Sequence, residues 1–379
     1  MMKLLMAGVA VAALCGPALA QDGLGNGQEL IARRMVPSPP MASVLPHMPT
    51  DLTPAGVRAA DDHLALEAVD GAEAMAFVAA SNQRALAALE GDRRYEPFRQ
   101  QAEAILTATD RIPSPSFLGD GIGNFWQDAA NPKGVWRRTT LDSYRSADTR
   151  WRTLLDIDAL ARAEGKDWVW KGADCLAPDD ARCLISLSDG GKDAVVVREF
   201  DTTTGLWVED GFILPEGKHR LEWLDRDTLL VATDFGPNTL TESGYPFIVK
   251  SLKRGQTLAQ ATEVYRGEQS DGGYGVSPSV YRDRNGAIEA VVISRPLDTF
   301  RSETWELVNG RPVRLTLPDR VSIHGVSGGL LVFSPDETWR QGGREIAAGS
   351  LQAWSPAELR EGGEVIISNQ AHQIFAPGP

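Results

Sequence analysis

The sequence predicts a mainly β fold, a β-propeller of about five blades that follows a short helical arm. After Pro113, short runs of β-branched and aromatic residues alternate with turn signals such as Asn285-Gly286. These predicted strands recur in groups of roughly four per 40 to 50 residues, which is the spacing of propeller blades. We expect units near residues 115–160, 168–215, 219–268, 275–318 and 320–368. No short motif repeats cleanly between the units, so the spacing alone leaves a pair of β-sandwiches open.

The first twenty residues have the features of an export signal. Lys3 precedes an apolar run from Leu4 to Leu14, and Ala18-Leu19-Ala20 fits the cleavage pattern of signal peptidase. The run is shorter than the ~20 apolar residues that span a bilayer. We therefore expect residues 1–20 to be a cleaved signal peptide. The mature protein is then periplasmic or secreted and has no membrane span.

Two segments separate this signal from the β region. Residues 21–55 are rich in Gly, Pro and Met without an apolar period, which predicts a disordered, Pro-rich linker. Residues 56–110 have helical periodicity and form the predicted helical arm, with Asp70 and Glu73 as an N-cap signal. We expect its apolar stripes to serve as packing surface. The propeller then occupies residues 111–379, interrupted by one predicted helix, DIDALARAEG, that ends at Gly165.

Charge and motif content exclude several classes of function. The formal net charge is -13 and no basic stripe offsets it, so a nucleic-acid partner is not expected. The sequence has no P-loop, no H-E-x-x-H motif and no EF-hand loop. We therefore expect neither a cofactor nor a metal.

Two cysteines follow the predicted signal peptide, Cys175 and Cys183. Export would place them in an oxidising compartment, and the intervening LAPDDAR is typical of a turn that joins two strands. We predict a disulfide between them; two free buried thiols are the alternative.

Long stretches of the chain resemble one family of enzymes. These stretches are DRIPSPSFLGDGIGNFWQDAANPKGVWRRTTLDSYR (Asp110 to Arg145), WVWKGADCLAPDDARCLISLSDGGKDAVVVREFD (Trp168 to Asp201) and LDRDTLLVATDFGPNTLTESGYPFIVK (Leu224 to Lys250). Together with the helical segment Leu66 to Leu89, they resemble the N-terminal propeller of bacterial prolyl-oligopeptidase-like serine peptidases. The resemblance covers about residues 60 to 375.

The resemblance implies a two-domain enzyme that cleaves short peptides, typically after proline. In that family a seven-bladed propeller limits access to an α/β-hydrolase domain, which follows it and carries the catalytic Ser, Asp and His. Because the sequence ends at Pro379 after about five blades, we expect an incomplete propeller without the α/β-hydrolase domain. Such a chain would gate substrate access, would be inactive alone, and would have a separately encoded catalytic domain as a candidate partner. The alternative is a non-enzymatic exported propeller that binds peptides or proteins.

One motif imitates a catalytic serine. Residues 325–329 satisfy G-x-S-x-G, the nucleophile elbow of α/β-hydrolases, with Ser327 at its centre. An elbow needs a helix after the serine, but a strand pattern follows here, so we interpret the motif as a hairpin turn. His372 and Asp336 lie within too short a stretch to complete a hydrolase core with it. No catalytic residue is therefore assigned.

The tryptophans and two arginines complete the sequence predictions. Six tryptophans in or next to predicted strands are interpreted as core filler between blades: Trp126, Trp136, Trp151, Trp168, Trp170 and Trp223. Arg137 and Arg138, which follow one of them, are candidates for lining the substrate channel and meeting a peptide carboxylate.

Overall fold

The structure is a computed structural model that describes residues 63–68, 71–108, 110–341, 343–360 and 373–375. The predicted signal peptide, the Pro-rich linker and the N-cap candidate Asp70 lie outside the described residues. The chain divides into two compact units, 1–92 and 93–379.

Helices form where the helical arm was predicted. The first unit has a 3-10 turn, Leu64–Glu67, and helix α1, Ala72–Glu90, which begins after Gly71 without a side-chain cap. The second unit opens with helix α2, Tyr95–Leu106. The apolar stripes of both helices are exposed in the described chain, since Leu89 is 59% exposed and Phe98 is 65% exposed. Their role as packing surface stays a prediction. The described residues do not cover these exposed apolar side chains.

The β region begins with two antiparallel sheets. The first contains β1 (Ser116–Leu118), β2 (Gly121–Trp126), β3 (Val135–Thr140) and β4 (Arg152–Asp156). The second contains β5 (Trp168–Cys175), β6 (Arg182–Asp189), β7 (Val195–Asp201), β8 (Leu206–Trp207) and β9 (Ile213–Gly217). Helix α3 (Leu141–Tyr144) lies between β3 and β4, and helix α4 (Ile157–Glu164) joins the two sheets.

Three more sheets follow. The third contains β10 (Arg220–Asp225), β11 (Thr228–Ala232), β12 (Ile248–Lys253) and β13 (Thr262–Arg266). The fourth contains β14 (Ser277–Arg282), β15 (Ile288–Pro296), β16 (Ser302–Val308) and β17 (Arg311–Arg314). The fifth contains β18 (Val321–Ser327), β19 (Leu330–Pro335), β22 (Leu351–Trp354) and β23 (Gln373–Phe375). A hairpin of β20 (Trp339–Gln341) and β21 (Arg344–Ile346) and the short helix α5 (Pro356–Leu359) accompany the fifth sheet.

The sheet order is that of propeller blades. The strands of each sheet pair antiparallel in chain order, except that β9 pairs with β7 and the β20–β21 hairpin lies between β19 and β22. The first strands of the third, fourth and fifth sheets adjoin, since β10 contacts β14 and β14 contacts β18. The alternative of paired β-sandwiches, in which two sheets pack face to face, does not fit, because the third sheet packs against both the second and the fourth. The prediction of about five blades is confirmed, and the described residues contain no α/β-hydrolase domain.

The core lies between successive sheets, so an inner strand is buried on both faces. Along β11, Leu229 and Val231 pack with the second sheet, whereas Leu230 and Ala232 pack with the fourth sheet; all four are at most 1% exposed. This double burial explains why predicted strands such as DTLLVATD are continuous apolar runs rather than alternating ones. Tryptophans fill the same layers: Trp136, Trp168 and Trp223 are buried there, as predicted.

The one helix predicted inside the β region is also confirmed. Helix α4 begins after Asp156, whose carboxylate accepts a hydrogen bond from the Ala159 amide at 2.8 Å. It ends at Gly165, which takes the left-handed φ of 62° that favours glycine.

Candidate functional site

The predicted cysteine pair joins the first two strands of the second sheet. Cys175 of β5 lies directly opposite Cys183 of β6, and their sulfur atoms are bonded at 1.98 Å. Cys183 is fully buried in the apolar layer between the first and second sheets. The disulfide therefore fastens the turn end of the β5–β6 hairpin to the core.

Ser327 lies in a β-hairpin and not in a nucleophile elbow. β18 ends at Ser327, Gly328 and Gly329 form the turn with φ of 59° and 77°, and β19 begins at Leu330. A strand thus follows the serine where an elbow needs a helix N-terminus. The hairpin interpretation is confirmed, and His372 lies outside the described residues.

Arg137 belongs to a stack of side chains on the first sheet. It lies in β3, and its guanidinium carbon is 4.6 Å from the ring centroid of Trp126 and 4.4 Å from that of Trp151. Its Nε donates to Oδ1 of Asn124 at 2.9 Å. Such cation–π contacts hold the guanidinium in place. The two half-buried tryptophans therefore pack on an arginine rather than in the core between blades.

Arg138, the next residue, faces a different environment. It donates to Asp120 and lines a cavity of ≈ 610 Å³ together with Arg150 and Arg152. Both Arg137 and Arg138 lie in the third strand of the sheet, roughly 10 Å from the first strand at ~4.8 Å per strand. Their contact with a peptide carboxylate stays a prediction.

Two carboxyl groups lie on the first strands, which border the central channel of a propeller. Asp174 of β5 is reached by solvent but is surrounded by protein, and the resulting loss of hydration raises its pKa. Glu222 of β10 is half-buried and accepts a hydrogen bond from the Val280 amide. Burial, with a smaller contribution from the nearby negative charge of Asp174, raises the pKa of Glu222 to about 7. A carboxyl group of this kind is only partly ionised at neutral pH.

Hydrogen bonds connect these first strands at the level of the carboxyl pair. The Trp223 indole donates to the Asp174 carbonyl at 3.0 Å. Nη2 of Arg282 on β14 donates to the carbonyls of Trp223 at 2.8 Å and Leu224 at 2.9 Å. The first strands of three blades are therefore joined by directional contacts, which hold the lining side chains in a fixed relation.

A cleft lies at one edge of the second, third and fourth sheets. In a four-stranded meander, the turn between strands two and three and the connection into strand one lie at the same edge. The connection Lys218–Arg220, Tyr274 before β14 and the turn 297–301 accordingly line two adjoining cavities of ≈ 330 and ≈ 270 Å³. Arg220 and Tyr274 line both. We name this surface the edge cleft and define it by Lys171, Lys218, Arg220, Tyr245, Tyr274 and Phe300.

A β-bulge directs Lys171 into the edge cleft. In the pairing of β5 with β6, Trp170 lies opposite Leu187 and Gly172 opposite Ser186, so Lys171 is the extra residue. A bulge bends the strand and re-aims the side chain that it carries. Gly172 has a φ of 135°, which a residue with a Cβ rarely adopts. The glycine after Lys171 is therefore part of the local geometry of the cleft.

Sequence reasoning missed the edge cleft. Its cations lie within β5 and at the start of β10, up to 49 residues apart, and a short motif does not connect them. The available signal was positional, since Lys218, His219 and Arg220 precede the predicted strand LEWLD. A residue that precedes the first strand of a blade lies at the same edge as the turns between the second and third strands.

Clusters of three or more His, Cys, Asp or Glu side chains that could hold a metal ion do not occur among the described residues. In the same residues, every helix is too short or too polar to cross a membrane.

Comparisons with known proteins agree on one family. The profile of the prolyl oligopeptidase N-terminal β-propeller domain matches residues 46–305. An uncharacterised peptidase of Sinorhizobium fredii is 44% identical over 306 residues, which are 79% of this chain and 42% of that protein. An uncharacterised peptidase of Rickettsia prowazekii is 26% identical over 302 residues, 76% of this chain and 41% of that one. The chain thus spans less than half the length of these relatives.

Solved structures agree on the fold. A post-proline cleaving enzyme from Rickettsia typhi superposes with a TM-score of 0.70 at 24% identity, over 83% of this chain and 46% of that chain. Oligopeptidase B from Trypanosoma brucei superposes with a TM-score of 0.55 at 14% identity, over 83% and 40%. The five meander sheets and the profile match over most of the chain lead to the same assignment. The chain belongs to the prolyl oligopeptidase family, and the matched part is the family's N-terminal β-propeller.

Proposed function

We propose that this chain gates substrate access in a prolyl-oligopeptidase-like serine peptidase that hydrolyses short peptides, typically after proline. The observation that carries the proposal is the family match over residues 46–305, which includes the first three sheets and most of the fourth. A propeller surrounds a narrow channel, so it admits small or unfolded peptides and excludes folded proteins. The propeller thereby selects substrates by size before any chemistry takes place.

The hydrolytic chemistry belongs, in this proposal, to an α/β-hydrolase domain in the same or a separate polypeptide. Ser327 cannot supply it, because its hairpin lacks the helix that stabilises an oxyanion. The chain alone is then inactive toward peptides. Its disulfide fits an oxidising compartment, so we further propose export to the periplasm or the exterior after cleavage behind Ala20. Edman sequencing of the protein from the periplasmic fraction tests the export proposal by requiring a new N-terminus at Gln21.

A second candidate function is a non-enzymatic module that binds peptides. The edge cleft favours it, since this site can hold a ligand without any catalytic residue. In this alternative the chain binds peptides with the same affinity whether or not a hydrolase domain is present.

The deciding experiment measures hydrolysis of a fluorogenic peptide with proline before the scissile bond. The purified chain is assayed alone and with the product of the adjacent downstream reading frame, beside a Ser327→Ala variant as the control. Activity that requires both proteins and is unchanged in Ser327→Ala supports the gating function. Activity of the chain alone that disappears in Ser327→Ala overturns it, and no activity in either mixture leaves the binding module as the better account.

A further inference from the structure

We propose that the edge cleft is a binding site for the carboxylate of a peptide, with Lys218 and Arg220 as the groups that recognise it. The inference rests on the proposed action of this chain on peptides and names the chemical class that it binds preferentially. The carboxylate can be the C-terminus of the peptide or an acidic side chain, because both present the same two oxygen atoms.

The cations of the edge cleft have no ion-pair partner among the described residues. Nζ of Lys171 donates to the Gly191 carbonyl at 3.2 Å, and Nζ of Lys218 lies 3.9 Å from the ring centroid of Tyr245. The guanidinium of Arg220 donates to two carbonyls, each at 3.3 Å. Their positive charges are therefore uncompensated, although the protein carries an excess of acids and a net charge of -13.

Other half-buried arginines of the same sheets are paired with carboxylates. Arg254 lies 2.7 Å from Glu199, and Arg295 lies 2.7 Å from Asp271. The edge cleft contains one acid that is not already paired, Asp193, against three cations. A concave site with this imbalance attracts an anion more strongly than a flat surface, because its low-polarity walls concentrate the field.

Aromatic rings form the walls beside the cations. The rings of Tyr245 and Tyr274 meet edge to face at 5.6 Å, and Tyr274 is 60% exposed. Phe300, which lines the smaller cavity, is 78% exposed. Rings placed next to cations can pack on the apolar side chains that flank a carboxylate, which a site for free inorganic anions does not require.

His219 holds the two recognition residues in place. Its Nε2 lies 3.0 Å from the Val195 carbonyl and 2.8 Å from the Pro215 carbonyl, and its Nδ1 lies 2.7 Å from the Thr233 hydroxyl. Burial lowers the pKa of His219, which keeps the imidazole neutral near pH 7. In that state Nε2–H donates to the carbonyls and Nδ1 accepts from the hydroxyl. The loop between Lys218 and Arg220 is thereby fixed before a ligand arrives.

The overall charge restricts the ligand to one with few negative charges. A polyanion such as a nucleic acid would be repelled by the protein's net charge of -13. A single carboxylate on a peptide meets the local cations without this penalty. The two cavities, ≈ 330 and ≈ 270 Å³, have room for a peptide end of a few residues.

The test is isothermal titration calorimetry of the full chain with three N-acetylated hexapeptides of one proline-containing sequence. The first is amidated and neutral, the second has a free C-terminal carboxylate, and the third is amidated with one internal glutamate. We expect either carboxylate to improve the affinity roughly tenfold over the neutral peptide, as a charge-assisted hydrogen bond does. The better of the two acidic peptides identifies the source of the carboxylate. Inorganic phosphate is titrated alone as a further arm, and we expect it to bind more weakly than the better acidic peptide.

Matched variants assign the effect to the edge cleft. Lys218→Gln with Arg220→Gln should abolish the tenfold preference, and Arg220→Lys should retain part of it because the charge remains. Lys253→Gln is the control, since Lys253 is exposed at the opposite edge of the third sheet. Circular dichroism and thermal unfolding establish that each variant is folded. Raising the salt concentration should lower the affinity for the acidic peptides and leave the affinity for the neutral peptide unchanged.

Three outcomes overturn the inference. They are equal binding of acidic and neutral peptides, a preference that survives the double variant in its folded state, and phosphate binding as tight as that of the better acidic peptide. In each of these cases peptides still bind, so the proposed action on peptides stands while the carboxylate site fails. If no hexapeptide binds and the downstream protein gives no hydrolysis, both proposals fail.

Discussion

Replacing Glu222 with glutamine should stabilise the protein more at alkaline pH than at pH 5. The pKa of Glu222 rises from its ordinary value of 4.5 to about 7 in the folded protein, chiefly through burial. The folded state therefore holds a proton that the unfolded chain releases between these two values. The contribution of Glu222 to the free energy of unfolding is largest below pH 4.5, falls as the pH rises to 7, and is constant above it.

The magnitude follows from the same two values. At about 1.4 kcal/mol per pKa unit, a rise from 4.5 to about 7 corresponds to roughly 3 kcal/mol at pH 8. Glu222 keeps contact with solvent, whose screening reduces this figure to about 1 kcal/mol. Glutamine has the same shape and an oxygen that accepts the hydrogen bond from the Val280 amide, so the substitution removes the charge alone.

Urea unfolding followed by tryptophan fluorescence at pH 5 and pH 8 measures the difference between wild type and Glu222→Gln. Glu209→Gln, at an exposed position, is the control for removing one negative charge from an acidic protein. We expect the variant to gain about 1 kcal/mol at pH 8 and less than that at pH 5, where the unfolded chain has already released part of the proton. An equal effect at both pH values, or a loss of stability at pH 8, would refute the assignment of a raised pKa to this carboxyl group.

Three further predictions concern the disulfide, His219 and a buried ion pair. Replacing Cys175 and Cys183 with serine, at a sequence separation of 8, should lower the free energy of unfolding by about 2.5 kcal/mol, and an unchanged urea midpoint would contradict this. Burial lowers the pKa of His219, so the stability that its neutral imidazole contributes is present above the ordinary pKa of 6.5 and is lost as the pH falls below 6.5. In thermal unfolding, the stability difference between wild type and His219→Gln should therefore shrink as the pH is lowered below 6.5. Arg254→Met should cost about 3 kcal/mol because it leaves the fully buried carboxylate of Glu199 unpaired, and adding Glu199→Gln should restore most of the loss in urea unfolding. A double variant no more stable than Arg254→Met would count against the pairing.

The blades could be predicted from the sequence because each is a local structure. A strand buried on both faces gives a continuous apolar run, as at Leu229 to Ala232, and a tight turn needs residues such as Gly328 and Gly329 that adopt positive φ. Both signals lie within one hairpin and need no knowledge of distant residues. The boundaries of the first four predicted units therefore fall within four residues of the observed sheets, whereas the fifth ends seven residues before the end of β23.

The packing of individual side chains was harder to predict. Trp126 and Trp136 are both strand tryptophans in the sequence, yet Trp136 is buried between sheets while Trp126 is half-buried against Arg137. Their difference depends on which face of a strand meets a neighbouring blade, and that depends on register and twist rather than on residue type. The apolar stripe of α1 illustrates the same limit, because periodicity identifies an apolar face but not what covers it.

The charges on the first strands form a pattern that no local motif contains. Along β5, Asp174 follows Lys171 by three residues, and along β10, Glu222 follows Arg220 by two, which are roughly 10 and 7 Å of extended chain. Both strands run in the same direction, so the cations lie toward the edge cleft and the acids lie further along the channel side. A carboxylate is therefore attracted at the edge of the blades and disfavoured a few ångströms further in, while an amine has the opposite preference. Because this alternation of charge arises from two strands that are about 50 residues apart in sequence, it exists only once the blades have packed side by side.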